Sequence, residues 1–225
     1  PVEAAEGIIA AAREAIEKEP ESLNHHIAIV QAYQDIGDFG RALEWLERAR
    51  KLRAGVSDPN LARQAVELRV DRLKADSAQI GDKERSVMEL RITEYRDLVA
   101  EYPDEAPFQL ELANQLRAAG RLDEAIVHYQ AAQRSTKLRV LATFGLGECF
   151  QGKGLHDLAV EQFRAAKDEL LVMDELKKQV VYALGCCLET MGRNDEAIAE
   201  FKQIYSADIG FRDVAAKLGG DYGSK

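Results

Sequence analysis

The sequence predicts an all-α protein built from repeated pairs of helices. Its 225 residues are rich in Ala, Leu, Glu and Arg, with only 5 Pro and 7% aromatic residues. This composition favours helices over a β-sandwich. Four segments can be aligned on a glycine, and in each of them an alanine follows that glycine five residues later. Within the segments the apolar residues recur three or four positions apart, as they do on one face of a helix.

The aligned segments define a unit of about 34 residues in which the glycine takes position 15. Small residues at positions 8 and 20 let two helices approach closely, and large residues at positions 7, 11 and 24 fill the space beside them. The glycine is expected to end the first helix in the left-handed conformation. A polar residue soon afterwards, such as Asp38 or Asn194, is expected to cap the second helix. Neither helix can bury its apolar face alone, so the repeats must stack. The glycines are Gly37, Gly120, Gly154 and Gly192, the alanines are Ala42, Ala125, Ala159 and Ala197, and position 24 holds Leu46, Tyr129, Phe163 and Phe201.

Regular repeats are predicted at residues 23-56, 106-139, 140-177 and 178-210. Residues 1-20 match the second helix of a repeat, which ends at Pro20 with Ala12 and Ala15 in register. Because the first helix of that repeat is absent, we expect the chain to begin inside a longer array. At the other end we expect a short capping helix at residues 211-218 and a flexible tail at residues 219-225.

Residues 57-104 are expected to form a divergent repeat with two long helices. These helices are predicted at Pro59–Ala78 and Asp82–Glu101, with a break at Gly81. Tyr95 falls at position 24 of this repeat, but the alanine of position 20 is missing.

The pattern resembles the tetratricopeptide repeat (TPR). The resemblance implies that residues 1-225 form a single right-handed superhelix, an α-solenoid of antiparallel helix pairs. In this family the first helices line a concave groove that takes an extended peptide or a partner helix, so the resemblance implies a non-enzymatic scaffold for protein-protein interaction. The segments VMDELKKQVVYALG and FKQIYSADIGFRDVAAKL also resemble the C-terminal parts of a group of bacterial TPR proteins with no established activity.

Helix geometry places positions 2, 5, 9 and 12 of each first helix in such a groove. Chaperone-binding members of the family grip a carboxylate with Lys at position 5 and Asn at position 9. Here those positions hold Ile27 and Gln31 in one repeat and only Asn114 matches in another, so this carboxylate clamp is absent. Apolar and aromatic side chains among amides favour a partly apolar peptide or helix instead. The predicted partner-binding residues are Ile27, Gln31, Gln34, Leu110, Asn114, Arg117, Phe144, Glu148, Gln151, Tyr182 and Glu189.

Composition disfavours several other functions. The formal net charge is −9, whereas nucleic-acid backbones attract basic surfaces. No apolar run approaches the roughly 20 residues needed to cross a bilayer, so no membrane insertion is expected. The cysteines, Cys149, Cys186 and Cys187, do not form a disulfide framework and favour a reducing compartment, the cytoplasm. They have no histidine at nucleophile or zinc spacing, so no metal, cofactor or enzymatic activity is expected.

Two local patterns carry weaker functional signals. Residues 147-153 satisfy the GxxxxGK spacing of a phosphate-binding loop, but Gly154 replaces the Ser or Thr that would hold Mg²⁺. Between Arg41 and Lys74, nine basic residues against five acidic ones leave a local charge of +4. That stretch either docks an acidic partner or is an ordinary solvated surface with internal ion pairs.

The truncated first repeat supports one alternative to a free-standing scaffold. In that alternative the chain is a regulatory or targeting TPR domain cut from a larger enzyme or a membrane-anchored protein. Reading the gene upstream of Pro1 would separate the two interpretations.

Overall fold

A computed structural model describes residues 2–56, 58–76 and 80–222, which form twelve α-helices and no strand. The predicted all-α fold class is therefore confirmed. The helices fall into two compact units, Pro1–Glu105 and Ala106–Lys225. In the described part of the chain, no helix combines the length and the apolar character that crossing a bilayer requires.

The first unit contains five helices, each packed on the next along the chain. Ile29, Leu46 and Leu68 lie in its core and are fully buried. The helices are α1 (Val2–Lys18), α2 (Leu23–Asp35), α3 (Phe39–Lys51), α4 (Pro59–Asp76) and α5 (Ile80–Glu101).

The second unit contains seven helices. Three pairs, α6 with α7, α8 with α9 and α10 with α11, each comprise the first and second helix of one aligned segment, and α12 packs on α11. The first helices also contact one another, α6 with α8 and α8 with α10. The helices are α6 (Ala106–Ala118), α7 (Leu122–Ala132), α8 (Arg139–Gly152), α9 (His156–Glu169), α10 (Glu175–Thr190), α11 (Asn194–Ala207) and α12 (Val214–Tyr222).

The turn within each regular pair depends on its glycine. Gly37, Gly120, Gly154 and Gly192 have φ values of 75°, 74°, 75° and 73°. This left-handed backbone strains any residue with a Cβ, so glycine is the residue that ends the first helix here without strain. The prediction for position 15 is confirmed at all four places.

The small residues of position 8 lie against the large residues of position 24. A Cβ placed on Gly185 would come within 2.5 Å of the Phe201 ring, and one on Gly147 would collide with the Phe163 ring. Both phenylalanines are buried, as are the four alanines of position 20. The predicted repeat register is therefore confirmed by packing in α8 to α11.

Of the two residues expected to cap second helices, Asp38 does so and Asn194 does not. Asp38 caps α3, since its side chain accepts a hydrogen bond from the backbone N–H of Arg41. Asn194 is not a cap, because α11 begins at this residue and its N-cap is Arg193. Arg193 instead pairs with Glu196 three residues later, at 2.7 Å. This ion pair stabilises the first turn of α11.

The divergent repeat differs from the prediction at Gly81, and an ion pair replaces its missing alanine. Helix α5 begins at Ile80, so Gly81 lies in its first turn and does not break the two long helices. Position 20 of this repeat holds Arg91, whose guanidinium donates two hydrogen bonds to the Glu67 carboxylate on α4, at 2.6 and 2.7 Å. An interhelical ion pair therefore occupies the place where the regular repeats pack an alanine.

The C-terminal helix lies further along the chain than predicted. Helix α12 spans Val214–Tyr222, whereas a capping helix was expected at residues 211-218 and a flexible tail from residue 219. The expected tail is therefore helical as far as Tyr222. Residues 223-225 lie outside the described residues.

Substituting a position-20 alanine by leucine should destabilise the protein. Ala125 and Ala159 have no exposed surface, so Ala125→Leu and Ala159→Leu each overpack a tight helix contact and should lower the free energy of unfolding by about 1–3 kcal/mol. Urea denaturation measures the change. The matched control is Ala165→Leu on the exposed face of α9, which should stay within about 0.5 kcal/mol of the parent. Equal stability of all three variants would contradict the assigned register.

Candidate partner-binding surface

Eight of the predicted partner-binding residues lie on the three first helices of the second unit. We call this set the first-helix surface. Glu189 is exposed and the other seven are half-buried. Since α6, α8 and α10 contact one another in that order, the surface is a row of three neighbouring helices. Its members are Leu110, Asn114 and Arg117 on α6, Phe144, Glu148 and Gln151 on α8, and Tyr182 and Glu189 on α10.

The other three predicted residues lie on α2 of the first unit. Ile27 is half-buried and packs against the core of that unit. Gln31 is exposed and donates a hydrogen bond to Asp35, at 2.9 Å. Gln34 accepts one from Gln64 on α4, at 3.4 Å. These side chains are used within their own unit, so the first-helix surface is defined on the second unit alone.

A polar network of three first-helix surface residues and Tyr129 joins α6, α7 and α8. The hydroxyl of Tyr129 donates to Asn114 Oδ1 at 2.7 Å and accepts from Arg117 Nε at 3.1 Å. Arg117 also pairs with the Glu148 carboxylate at 3.3 Å. The structure thus brings three of the predicted residues together and satisfies them internally.

Burial controls the protonation of this network. It raises the pKa of Tyr129 to about 12, although Arg117 acts in the opposite direction. Burial likewise raises the pKa of Glu148 above its ordinary value and outweighs the attraction of Arg117 and Arg212. For Arg117, burial lowers the pKa, but Glu148 and Tyr129 raise it by more, so the guanidinium stays charged. Arg117 and Glu148 thus form a partly buried ion pair whose two charges oppose each other on this surface.

The two aromatic residues of the first-helix surface have different surroundings. The Phe144 ring packs against Phe163 of its own helix pair, with centroids 5.8 Å apart. The Tyr182 ring packs against Phe201 and Phe211, each at 6.0 Å, and its hydroxyl donates to Asp213 at 2.6 Å. Tyr182 is therefore held by its own repeat and by the segment that leads into α12, while Phe144 makes its ring contact within its own repeat.

The C-terminal segment covers part of the surface that was predicted to be open. The Arg212 guanidinium stacks 4.6 Å from the Tyr182 centroid, and Arg212 has the left-handed φ of 48° that costs a residue with a Cβ some strain. Lys217 pairs with Glu189 at 2.6 Å. Sequence reasoning missed these contacts. The available signal was Leu218-Gly219, which repeats Leu184-Gly185 after 34 residues and marks α12 as a first helix.

Other candidate chemistry is weaker. Cys187 Sγ lies 3.7 Å from His156 Nδ1, a pairing that sequence spacing did not show. Burial raises the pKa of Cys187, so its thiol stays protonated and suits packing better than nucleophilic attack. Within the described residues, no group of three or more His, Cys, Asp or Glu side chains is arranged to hold a metal ion.

The two local sequence patterns also have structural explanations. Residues 147-152 lie within α8 rather than in a phosphate-binding loop, and the adjacent Lys153 pairs with Asp123. In the basic stretch, five of the nine cations make ion pairs with nearby carboxylates. Arg69, for example, bridges Glu47 at 2.7 Å and Glu94 at 2.5 Å. This pairing favours an ordinary solvated surface over a docking surface.

Helix pairs that pack through alternating small and large residues, with a left-handed glycine inside each pair, define a helical repeat protein. Comparison with protein families agrees. The family described as "Tetratricopeptide repeat" matches residues 92–137 and 110–170, and a second family of the same description matches residues 179–208. The chain is a tetratricopeptide repeat protein.

Solved structures share this fold at low sequence identity. YrrB, described as a TPR protein with an unusual peptide-binding site, is 16% identical, and the match covers 89% of this chain and 94% of YrrB with a TM-score of 0.62. MamA (41-end) from Desulfovibrio magneticus RS-1 is 15% identical over 84% and 96%, with a TM-score of 0.60. TTC0263, a thermophilic TPR protein of Thermus thermophilus, is 17% identical over 88% and 98%, with a TM-score of 0.52. A comparison with curated proteins finds no match.

The thiols should react slowly while the protein is folded. Burial raises the pKa of Cys149 to about 11, so at pH 8 roughly one such thiol in a thousand is ionised. Burial also raises the pKa values of Cys186 and Cys187. We expect slow modification by Ellman's reagent at pH 8, and rapid reaction of all three thiols in guanidinium as the control. Rapid labelling of Cys149 in the folded chain would contradict the burial of this thiol.

Proposed function

We propose that the chain is a non-enzymatic scaffold that binds a peptide or a helical segment on its first-helix surface. The observation that carries this proposal is the repetition of one position: Leu110, Phe144 and Tyr182 occupy position 5 of three adjacent helices, and each is half-buried. A row of anchored apolar side chains is the kind of surface that supplies binding energy in protein interfaces. The shared fold with YrrB, which is described as having a peptide-binding site, supports the same use.

The ligand should be partly apolar and carry no strong net charge at its centre. Arg117 and Glu148 neutralise each other, so a single charged group on a ligand would have to displace one of them. Asn114 accepts from Tyr129 through Oδ1, which leaves its amide N–H groups as donors for a carbonyl of the ligand backbone. Apolar side chains of the ligand would lie beside Leu110 and Phe144.

Two bulk properties support the choice of partner and compartment. The net charge of −9 and the ion pairing of the basic stretch support a protein partner rather than nucleic acid. Three free cysteines support a reducing compartment such as the cytoplasm.

The side chain of Phe144 should contribute strongly to binding. Peptides selected from a random display library on the parent protein, with their dissociation constants measured by fluorescence anisotropy, supply the ligand. Phe144→Ala should weaken binding about tenfold or more, because it removes a central aromatic contact. The matched control is Leu158→Ala, which trims an exposed apolar side chain on second helix α9 and should leave the affinity unchanged.

Two results would contradict the proposal. One is a library that yields no binder, and the other is a set of binders that are equally sensitive to both substitutions. Since Phe144 packs on Phe163, thermal melting of each variant must accompany the binding data, which are taken well below the lower melting temperature.

A further inference from the structure

Tyr33 places a hydroxyl at position 11 of its repeat, where packing does not require one. The other three regular repeats hold Leu116, Phe150 and Leu188 at this position. Tyr33 is 3% exposed, and its hydroxyl accepts a hydrogen bond from Arg13 Nη2 on α1, at 3.3 Å. Within the described residues, no acceptor lies within hydrogen-bond distance of this hydroxyl, so its O–H group is left as a donor.

A second guanidinium lies beside the same tyrosine. The guanidinium carbon of Arg41 on α3 is 5.2 Å from the centre of the Tyr33 ring. The pKa of Arg41 is raised, first through the Tyr33 side chain and then through the charge of Asp38. Arg41 pairs with Asp38 through Nε at 2.6 Å. Since a guanidinium has five N–H donors, Arg41 keeps donors for another acceptor.

Arg13 and Arg41 occupy two positions that form an ion pair elsewhere in the chain. Arg13 falls at position 25 and Arg41 at position 19 of the next repeat, as Arg164 and Glu196 do. Arg164 and Glu196 pair at 2.6 Å. Where α1 meets α3, an arginine replaces the glutamate, and Arg13 makes no ion pair with any of the described residues. This junction therefore lacks the carboxylate that the junction of α9 and α11 contains.

Side chains at these two positions stay open to solvent when helices pack on both sides of them. Helix α9 contacts α8 before it and α10 after it. Arg164 nevertheless keeps 46% of its side chain exposed, and Glu196 on α11 keeps 47%. The exposure of Arg13 and Arg41 therefore follows from their positions in the repeat and does not depend on what precedes α1.

A cavity of about 540 Å³ is lined by Arg13, Tyr33 and Arg41. Its walls also include three apolar residues and three glutamates, which are Ile9, Ala10 and Ile36 and Glu6, Glu14 and Glu17. The glutamates repel a ligand with several negative charges. They favour a ligand in which one carboxylate lies beside a basic group.

We propose that Arg13, Arg41 and the Tyr33 hydroxyl bind the carboxylate of an aspartate or a glutamate in a protein partner. We call these three residues the carboxylate site. The planar guanidinium groups suit the two oxygens of a carboxylate, and the Tyr33 O–H group would donate to one of them. A lysine or arginine beside that acid in the partner would face Glu6 and Glu17. The carboxylate site lies in the first unit, so it does not depend on ligand binding to the first-helix surface.

Selection from a random peptide display library tests the proposal. Peptides are kept if they bind the parent protein and fail to bind Arg13→Gln. Trp45 is the single tryptophan of the chain, and the Arg13 guanidinium lies 5.6 Å from its ring centre, so Trp45 fluorescence reports binding at this site. The kept peptides should share an Asp or Glu next to a Lys or Arg. Replacing that acid by its amide should weaken binding at least about tenfold.

Variants of the protein assign this binding to the three donors. Tyr33→Phe removes only the hydroxyl and Arg41→Gln removes one guanidinium, so each should weaken the kept peptides at least about tenfold. Thermal melting of each variant, followed by circular dichroism, should match that of the parent. The matched control is Arg164→Gln, which removes an arginine at the same repeat position on α9 and should leave the affinity unchanged. Phe144→Ala should also leave it unchanged, because that residue lies on the first-helix surface.

Several results would overturn the carboxylate site. One is a selection that yields no peptide, and another is a set of kept peptides whose amide analogues bind as tightly as the acidic ones. Binding that survives both Tyr33→Phe and Arg41→Gln also overturns it. So does binding that Arg164→Gln or Phe144→Ala weakens as much as these two variants.

Discussion

The close approach of two helices at a glycine is the constraint on which the second unit depends. In α8 and α10 the position-8 residue has no side chain, so the phenylalanine four residues beyond the position-20 alanine can approach the backbone closely. Burying such a ring stabilises the fold by about 1.5–3 kcal/mol. Neither member of the contact can change size alone, because a larger first residue collides with the ring and a smaller ring leaves a cavity. Helix spacing and repeat register both follow from this contact.

The same constraint decides which residues remain for binding. Positions 4, 7, 8 and 11 of each first helix are used in packing, so positions 5, 9 and 12 are left on the surface of the row. In the second unit these positions do not hold isolated polar groups. Asn114, Arg117 and Glu148 share one network with the buried hydroxyl of Tyr129. The network fixes the side chains of neighbouring repeats relative to each other, which reduces the conformational entropy that a bound peptide must remove.

Sequence reasoning succeeded where one repeat defines the environment and failed where two distant segments meet. The glycine turns and the alanine and phenylalanine contacts recur along the chain, so their pattern is visible without coordinates. The cover over Tyr182 is different, because Arg212 and Asp213 occur once and reach it through a left-handed residue that no pattern predicts. The pairing of Cys187 with His156 joins two helix pairs, 31 residues apart. Asparagine is a preferred N-cap residue, but Asn194 lies one position after the N-cap of α11 and therefore does not cap that helix.

Binding at the first-helix surface would place a ligand on half-buried aromatic and amide side chains, so its affinity depends on how well a few anchors fit. Arg212 and Lys217 already cover part of Tyr182 and Glu189. Leu110 and Phe144 are therefore the anchors on which the affinity of a ligand mainly depends, and a partner must present apolar side chains to these two positions.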